Sequence, residues 1–262
     1  MNKKIVIAAA IAGILSVSGC KVSVADLAPA SIPTPTGILA KPVVVKFDDC
    51  DDGDNVNNWA GYWFTYDDTK APNFGSSKVY PRNGETFYMT AIGPDWPGGF
   101  GNNIFGARMW GQVINDGSFA YPFIGVGSGL SPNEEPQDIT NFDGIRMWVK
   151  RGGTTGNGSL SGTDSGGNVK RFRIAFKHAN VSDPSTEDYY GYTFDINNPD
   201  EWTYMDIPFT LFAQQSWSSP LDKTQSFMQV QGIQFQTKNN DPGAGTILPV
   251  DVWIDNIVLY RD

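Results

Sequence analysis

The run Lys170-Arg171-Phe172-Arg173-Ile174-Ala175-Phe176-Lys177-His178 decides the fold. Phe172, Ile174 and Phe176 alternate with Arg173, Ala175 and Lys177, a period of two that sets one row on a buried face and the other on a wet one. Ile233 and Phe235 alternate in the same way with Gln234 and Gln236. Strand-like runs recur along the chain at 43–47, 61–66, 86–92, 104–114, 121–126, 145–150, 170–178, 189–196, 202–207, 230–238 and 250–260. No convincing amphipathic helix interrupts them. With 29 Gly, 17 Pro, 16 Phe, 10 Tyr and 8 Trp, the composition suits short strands and tight connections. The expected architecture is all-β, a two-sheet jelly-roll sandwich.

Working outward, 262 residues at 40% hydrophobic content supply one good-sized core. The formal charge of -9 lacks the basic surface that phosphate backbones require, which excludes nucleic acid as the main partner. Lys3 and Lys4 precede an apolar run, Ile5 to Leu15, too short for a permanent span, and Val17-Ser18-Gly19-Cys20 follows. These four residues resemble a bacterial lipobox. Residues 1–19 then read as a lipoprotein signal peptide, with Cys20 as the lipidated residue and the cell envelope as the location. A plain secretory signal with an incidental cysteine is the alternative. Residues 20–42, rich in Pro, Ala, Ser and Thr, read as an extended tether, and 43–262 as one domain. Within it, 152–167 is Gly-rich and reads as a long loop. Cys20 and Cys50 are the two cysteines, so a lipidated Cys20 leaves Cys50 without a disulfide partner.

Five motifs occur in a familiar order: Lys46-Phe47-Asp48-Asp49; Asn58-Trp59-Ala60-Gly61-Tyr62; Phe142-Asp143-Gly144-Ile145-Arg146-Met147-Trp148-Val149-Lys150; Trp202-Thr203-Tyr204-Met205-Asp206-Ile207-Pro208-Phe209; and Val252-Trp253-Ile254-Asp255-Asn256-Ile257. The domain resembles carbohydrate-binding module family 11 and, more widely, the galactose-binding-like β-sandwich domains of bacterial polysaccharide-degrading proteins. The insert around Pro94 to Asn103 and the Gly-rich 152–167 segment depart from that pattern.

The acidic cluster Asp48-Asp49-Cys50-Asp51-Asp52-Gly53-Asp54 has the oxygen chemistry of a calcium site, or else forms a solvated acidic turn. It is not an EF-hand, because Cys50 and Trp59 occupy the third and twelfth positions of a loop begun at Asp48. The resemblance implies a structural calcium that ties the first strand to the last, with Asp48, Asp49 and Asp255 as ligands.

Sugar sites combine flat rings with planar hydrogen-bonding groups. The wet faces of 170–178 and 230–238 offer Arg173, Gln234 and Gln236, with Gln234 where the resemblance implies a sugar-binding polar residue. Asp188 and Tyr189 precede a strand and rim the same expected cleft. The resemblance implies stacking at Tyr62 and Tyr121 and ligand contacts at Gln215 and Trp217, while Thr237 stands where it implies an aromatic. The ligand implied is a polysaccharide, most simply a β-glucan, and the expected partners are the membrane, through the lipid, and separate polysaccharide-degrading enzymes.

No catalytic residue is assigned. The five glutamates, Glu85, Glu134, Glu135, Glu187 and Glu201, do not form the Glu-x-Asp-x-x-Glu pattern of jelly-roll glucanases. The single histidine, His178, lies on the core-side face with Phe176, and no Gly-x-Ser-x-Gly nucleophile motif appears. Two other readings stay open: a jelly-roll polysaccharide hydrolase or lyase, and a surface lipoprotein with a structural or protein-interaction role.

Overall fold

A computed structural model describes residues 42–91, 105–152, 169–181, 187–238 and 243–262. The strands are β1 (Val43–Asp48), β2 (Trp63–Asp67), β3 (Lys78–Tyr80), β4 (Thr90–Ala91), β5 (Phe105–Asn115), β6 (Ile124–Gly129), β7 (Gly144–Arg151), β8 (Arg171–His178), β9 (Gly191–Asp195), β10 (Thr203–Pro208), β11 (Val230–Thr237) and β12 (Thr246–Arg261). A 3-10 turn (Phe209–Leu211) and a five-residue helix, α1 (Lys223–Phe227), are the helical elements among the described residues. No helix among those residues is long and apolar enough to cross a membrane. Cys20, the 1–19 leader and most of the 20–42 tether lie outside the described residues, as does most of the 152–167 loop.

The strands form two antiparallel sheets. One runs β10-β7-β12-β5-β3, with β1 also on β12 and β4 also on β5; the other runs β2-β6-β11-β8-β9. Their inner faces supply a common core, with Met109, Ile145, Met147, Val252 and Leu259 from the first and Ile124, Phe172, Ile174, Phe176 and Phe235 from the second. The expected two-sheet sandwich is therefore observed. Several boundaries differ from the sequence reading. The run 121–126 begins its strand at Ile124, which leaves Tyr121 in the preceding bend, and the described part of 86–92 carries the two-residue β4. β3 is not among the expected strands; its three residues are held against β5 through Lys78↔Gln112 and Tyr80↔Trp110.

Tyr190, just before β9, and Phe194 on it pack toward the core, and Phe209, Phe212 and Phe227 close around Phe176 at centroid separations of 5.2, 5.0 and 5.5 Å. This aromatic cluster fastens the segment after β10 to the five-stranded sheet. That segment carries part of the candidate site.

The register of the five-stranded sheet sets the pattern on its outer face. Tyr66 lies opposite Gly125, Gly125 opposite Gln236, Gln236 opposite Arg173 and Arg173 opposite Thr193. One step along, Phe64, Gly127, Gln234, Ala175 and Gly191 make a second row. Gly125, Gly127, Ala175 and Gly191, with little or no side chain, thus flank Gln234 and Gln236 of the central strand.

Candidate functional site: a trough on the outer face of the five-stranded sheet

Strand β6 reads Ile124-Gly125-Val126-Gly127-Ser128-Gly129, so its core side carries side chains and its outer side is bare. Aromatic rings from β2 occupy the vacated space. A Cβ on Gly125 would lie 2.2 Å from Tyr66 Cζ, and one on Gly127 would lie 2.9 Å from Phe64 Cζ. Glycine is required here for the close approach of a ring to the sheet.

The result is a cleft of about 290 Å³ in which Arg173, Tyr189, Gln215, Gln234 and Gln236 meet, five of the nine ligand residues expected from the sequence. Tyr66, Phe123, Lys70, Asn73, Glu187 and Lys238, none of them expected as ligand residues from the sequence, complete much of its wall.

Two buried carboxylates build the walls without facing the cleft. Asp188 is fully buried. Its Oδ1 accepts from the Gln215 N–H at 2.6 Å and its Oδ2 from the Trp217 N–H at 3.2 Å, while its carbonyl accepts from Gln214 Nε2 at 2.8 Å. Asp188 was expected to rim the cleft. Instead it anchors the loop that brings Gln215 there, because a buried carboxylate is stable only when its lone pairs are engaged. On the opposite side Asp68, also fully buried, accepts from Ser77 N, Ser77 Oγ and Phe123 N at 3.0, 2.7 and 3.0 Å. It sets Phe123 and the start of the 69–73 loop against the trough.

Arg173 is 9% exposed and faces the cleft from below. One Nη2 donates to the carbonyls of Tyr189 and Ala213 at 3.0 and 2.6 Å, and Nη1 reaches Thr193 Oγ1 at 3.4 Å. Burial lowers its pKa, and the Asp188 charge partly restores it. Burial likewise raises the Tyr189 hydroxyl well above its ordinary range, so that it acts as a hydrogen-bonding phenol. Gln234 and Gln236 present their amides between these groups.

Tyr62, Tyr121 and Trp217 are exposed at 51%, 74% and 53% but do not line this cleft. Tyr62 opens onto an adjacent groove of about 520 Å³ with Phe64, Asn83 and Glu85. Tyr66, Asp67 and Lys70 belong to both depressions and join them. Tyr62 is placed by a turn in which Asn57 Oδ1 accepts from Trp59 N and Gly61 N at 2.8 and 3.1 Å, and Asn57 Nδ2 donates to Ser128 Oγ and Gly129 O at 2.6 and 2.7 Å. Tyr121 leans on Phe119 at 6.3 Å beyond the end of β6. Trp217 stands on the Asp188-anchored loop, beside Gln215.

Thr237 is not a lost stacking platform. It shares the core parity of Ile233 and Phe235, is 1% exposed, and its hydroxyl both accepts from Ile124 N at 3.1 Å and donates to Ile124 O at 3.2 Å.

Of the three acids implied for calcium, two are buried together. Asp48 is 2% exposed and accepts from Cys50 N at 2.8 Å and Trp63 Nε1 at 2.6 Å; burial pushes its carboxyl up to about 6. Asp255 is fully buried, where β12 shifts register between Asp255 and Val258 and Asn256 takes a φ of 50°. Both charges act on the Cys50 thiol between them, although burial is the larger cause of its raised pKa. Cys50 is thus a core residue and not a nucleophile. Asp49 instead pairs with Lys46. Among the described residues no group of three or more His, Cys, Asp or Glu is gathered closely enough to hold a metal ion. Asp48 and Asp255 have the hard-oxygen chemistry a calcium ion takes, but a full shell would need further oxygens.

No family model matches the chain. Endoglucanase 3 of Fibrobacter succinogenes is 24% identical over 242 residues, which is 90% of this chain and 30% of that protein. The chain therefore spans less than a third of the curated relative it matches. Among solved structures it is similar to a family 11 carbohydrate-binding module from Clostridium thermocellum in complex with a β-1,3-1,4-mixed-linked tetrasaccharide, at 18% identity and a TM-score of 0.48, covering 82% of this chain and 94% of that one. It is also similar to the family 30 module of a cellulosomal cellulase of the same organism, at 13% identity and a TM-score of 0.40, covering 76% and 97%.

Proposed function

We propose that the protein binds polysaccharide, a β-glucan, along the trough of the five-stranded sheet without cleaving it. The observation that carries this reading is the floor of Gly125, Gly127, Ala175 and Gly191. It leaves a chain-sized depression between the rings of Tyr66, Phe123 and Tyr189 and the planar groups of Arg173, Gln234 and Gln236. Flat rings suit the C–H faces of sugars, and fixed amides and a guanidinium suit their hydroxyls. The similarity to a protein named an endoglucanase and to a module holding a mixed-linked glucan fragment supports the choice of ligand. A structural calcium shared by Asp48 and Asp255, a lipid anchor at Cys20 in the cell envelope, and service to separate glycan-degrading enzymes belong to the same proposal.

The test is affinity electrophoresis of residues 41–262, the compact unit that contains the whole described core, in gels with mixed-linkage β-glucan, xyloglucan, xylan or no glycan, with calcium and with chelator. Retardation by a glucan without release of reducing ends is the expected result. A second reading, hydrolysis, draws on the two carboxylates that line the cleft, Asp67 and Glu187. Turnover of the glucan that a Glu187→Gln variant abolishes would establish it in place of the first.

A further inference from the structure

Lys238 follows Gln236 by two positions and shares its outer face at the end of β11, where it lines the cleft together with Arg173. Its backbone N–H is fixed to Arg171 O at 2.8 Å, so the side chain is delivered to this spot by the sheet and not by a loose tail. The ammonium has no hydrogen-bond or ion-pair partner among the described residues. Burial lowers its pKa, and repulsion from Arg173 lowers it further.

Arg173 gives its hydrogen bonds to neutral oxygens only, the carbonyls of Tyr189 and Ala213 and the Thr193 hydroxyl. The acid whose charge acts on both cations is Asp188, and its two oxygens already accept from Gln215 and Trp217 inside the protein. The acids that line the cleft are engaged elsewhere. Asp67 Oδ1 accepts from Thr69 N and Oγ1, and Glu187 is bonded to Tyr189 and lies near Lys177. A chain of net charge -9 thus presents two partly desolvated cations at one end of its trough, and among the described residues the carboxylate whose charge reaches both, Asp188, is spent on backbone N–H groups. Like charges brought out of water repel, and an anion placed between them relieves both.

We propose that the trough takes a glycan bearing a carboxylate, as on a uronic acid, which seats between Lys238 Nζ and the Arg173 guanidinium. This rests on the glycan-binding reading and adds a charged subsite at one end of the trough that holds neutral glucan. Neutral hydroxyls along the Gln234–Gln236 floor bind the chain, and the charged end selects chains with an acidic substituent through charge-assisted hydrogen bonds.

The experiment compares retention of residues 41–262 in carboxymethyl cellulose and in hydroxyethyl cellulose, which share a backbone and differ in the charge of the substituent. The expected result is roughly tenfold tighter retention by the carboxymethyl polymer at low salt, since a charge-assisted contact contributes on that order. This advantage should collapse in about 0.5 M sodium chloride, where charges are screened beyond a few ångströms. Lys238→Gln brings the ratio of the two retentions close to one. Lys78→Gln, the same charge change at an exposed position of β3 in the other sheet, keeps the ratio. Equal retention in both polymers, or an equal loss of preference in the two variants, overturns the proposal while leaving neutral glycan binding in place. Absence of retention in these gels and in mixed-linkage β-glucan, with the protein folded, overturns the underlying reading and this inference with it.

Discussion

The ring of Tyr66 occupies the position that a side chain on Gly125 would need, with Tyr66 Cζ 2.2 Å from where the Cβ would be. Sheet and ring are thereby locked together, and the wall of the trough depends on an absent side chain on the neighbouring strand. Gly125→Val is expected to push Tyr66 out of the wall and destabilise the fold by about 1–3 kcal/mol, the usual cost of overpacking. Thermal melting combined with glucan retention checks this. A variant of unchanged stability and retention would contradict the close-contact account.

Asp188 acts through the loop it holds. Removing its carboxylate frees the Gln215 and Trp217 N–H groups, so Asp188→Ala should cost about 2–4 kcal/mol, the scale of hydrogen bonds to a charged group. It should also weaken glycan binding although Asp188 touches no ligand. Trp217 fluorescence should shift as the loop detaches, and binding lost without that shift would argue for direct contact instead.

Tyr62 stands in the adjoining groove, beyond the Tyr66–Asp67–Lys70 junction. Only a chain long enough to cross that junction reaches it. Tyr62→Ala should therefore weaken binding of the polymer by roughly three- to tenfold, the contribution of one aromatic contact. A tetrasaccharide held in the cleft should be almost unaffected. Equal losses for short and long ligands would place Tyr62 inside the same subsite.

Asp48 gives the domain a pH dependence of definite sign. Burial raises its carboxyl from 3.8 to about 6, so the folded state holds this proton more tightly than the unfolded chain does. Its contribution to stability is complete below pH 3.8 and is lost as pH rises through about 6, a change of about 3 kcal/mol. Urea unfolding from pH 4 to 7 in chelator should show this slope for the wild type and not for Asp48→Asn. Calcium, if Asp48 and Asp255 hold it, favours the carboxylate and should flatten the slope. Identical slopes for wild type and variant would remove Asp48 as the cause.

The framework was legible because its motifs are neighbours in space. Phe142–Lys150, Trp202–Phe209 and Val252–Ile257 fall on β7, β10 and β12, consecutive strands of one sheet, and Lys46–Asp49 falls on β1, which pairs with β12. The candidate site lies on the other sheet. There, alternation was enough to put Arg173, Gln234 and Gln236 on the open face. The same parity argument sends Thr237 to the core, but the resemblance had assigned it an aromatic's position. The trough floor was present in the Gly-x-Gly-x-Gly spacing of 125–129, a bare face within a strand. What alternation could not show is where loops arrive. The burial of Asp68 and Asp188, and with it the placement of Phe123, Gln215 and Trp217, follows from backbone N–H groups distant in sequence that need an acceptor. Three residues of β3 are likewise too short a run to carry a period.

Glycan binding by this protein requires that the open face of β8 and β11 hold sugar. Isothermal titration of residues 41–262 with a mixed-linkage β-glucan tetrasaccharide, for the wild type and for a Gln234→Ala/Gln236→Ala double variant of unchanged melting temperature, tests it. The expected result is a saturable isotherm for the wild type and a loss of at least roughly tenfold in affinity for the double variant, since two hydrogen-bonding side chains are removed. No binding by the folded wild type, or equal binding by both proteins, would contradict it.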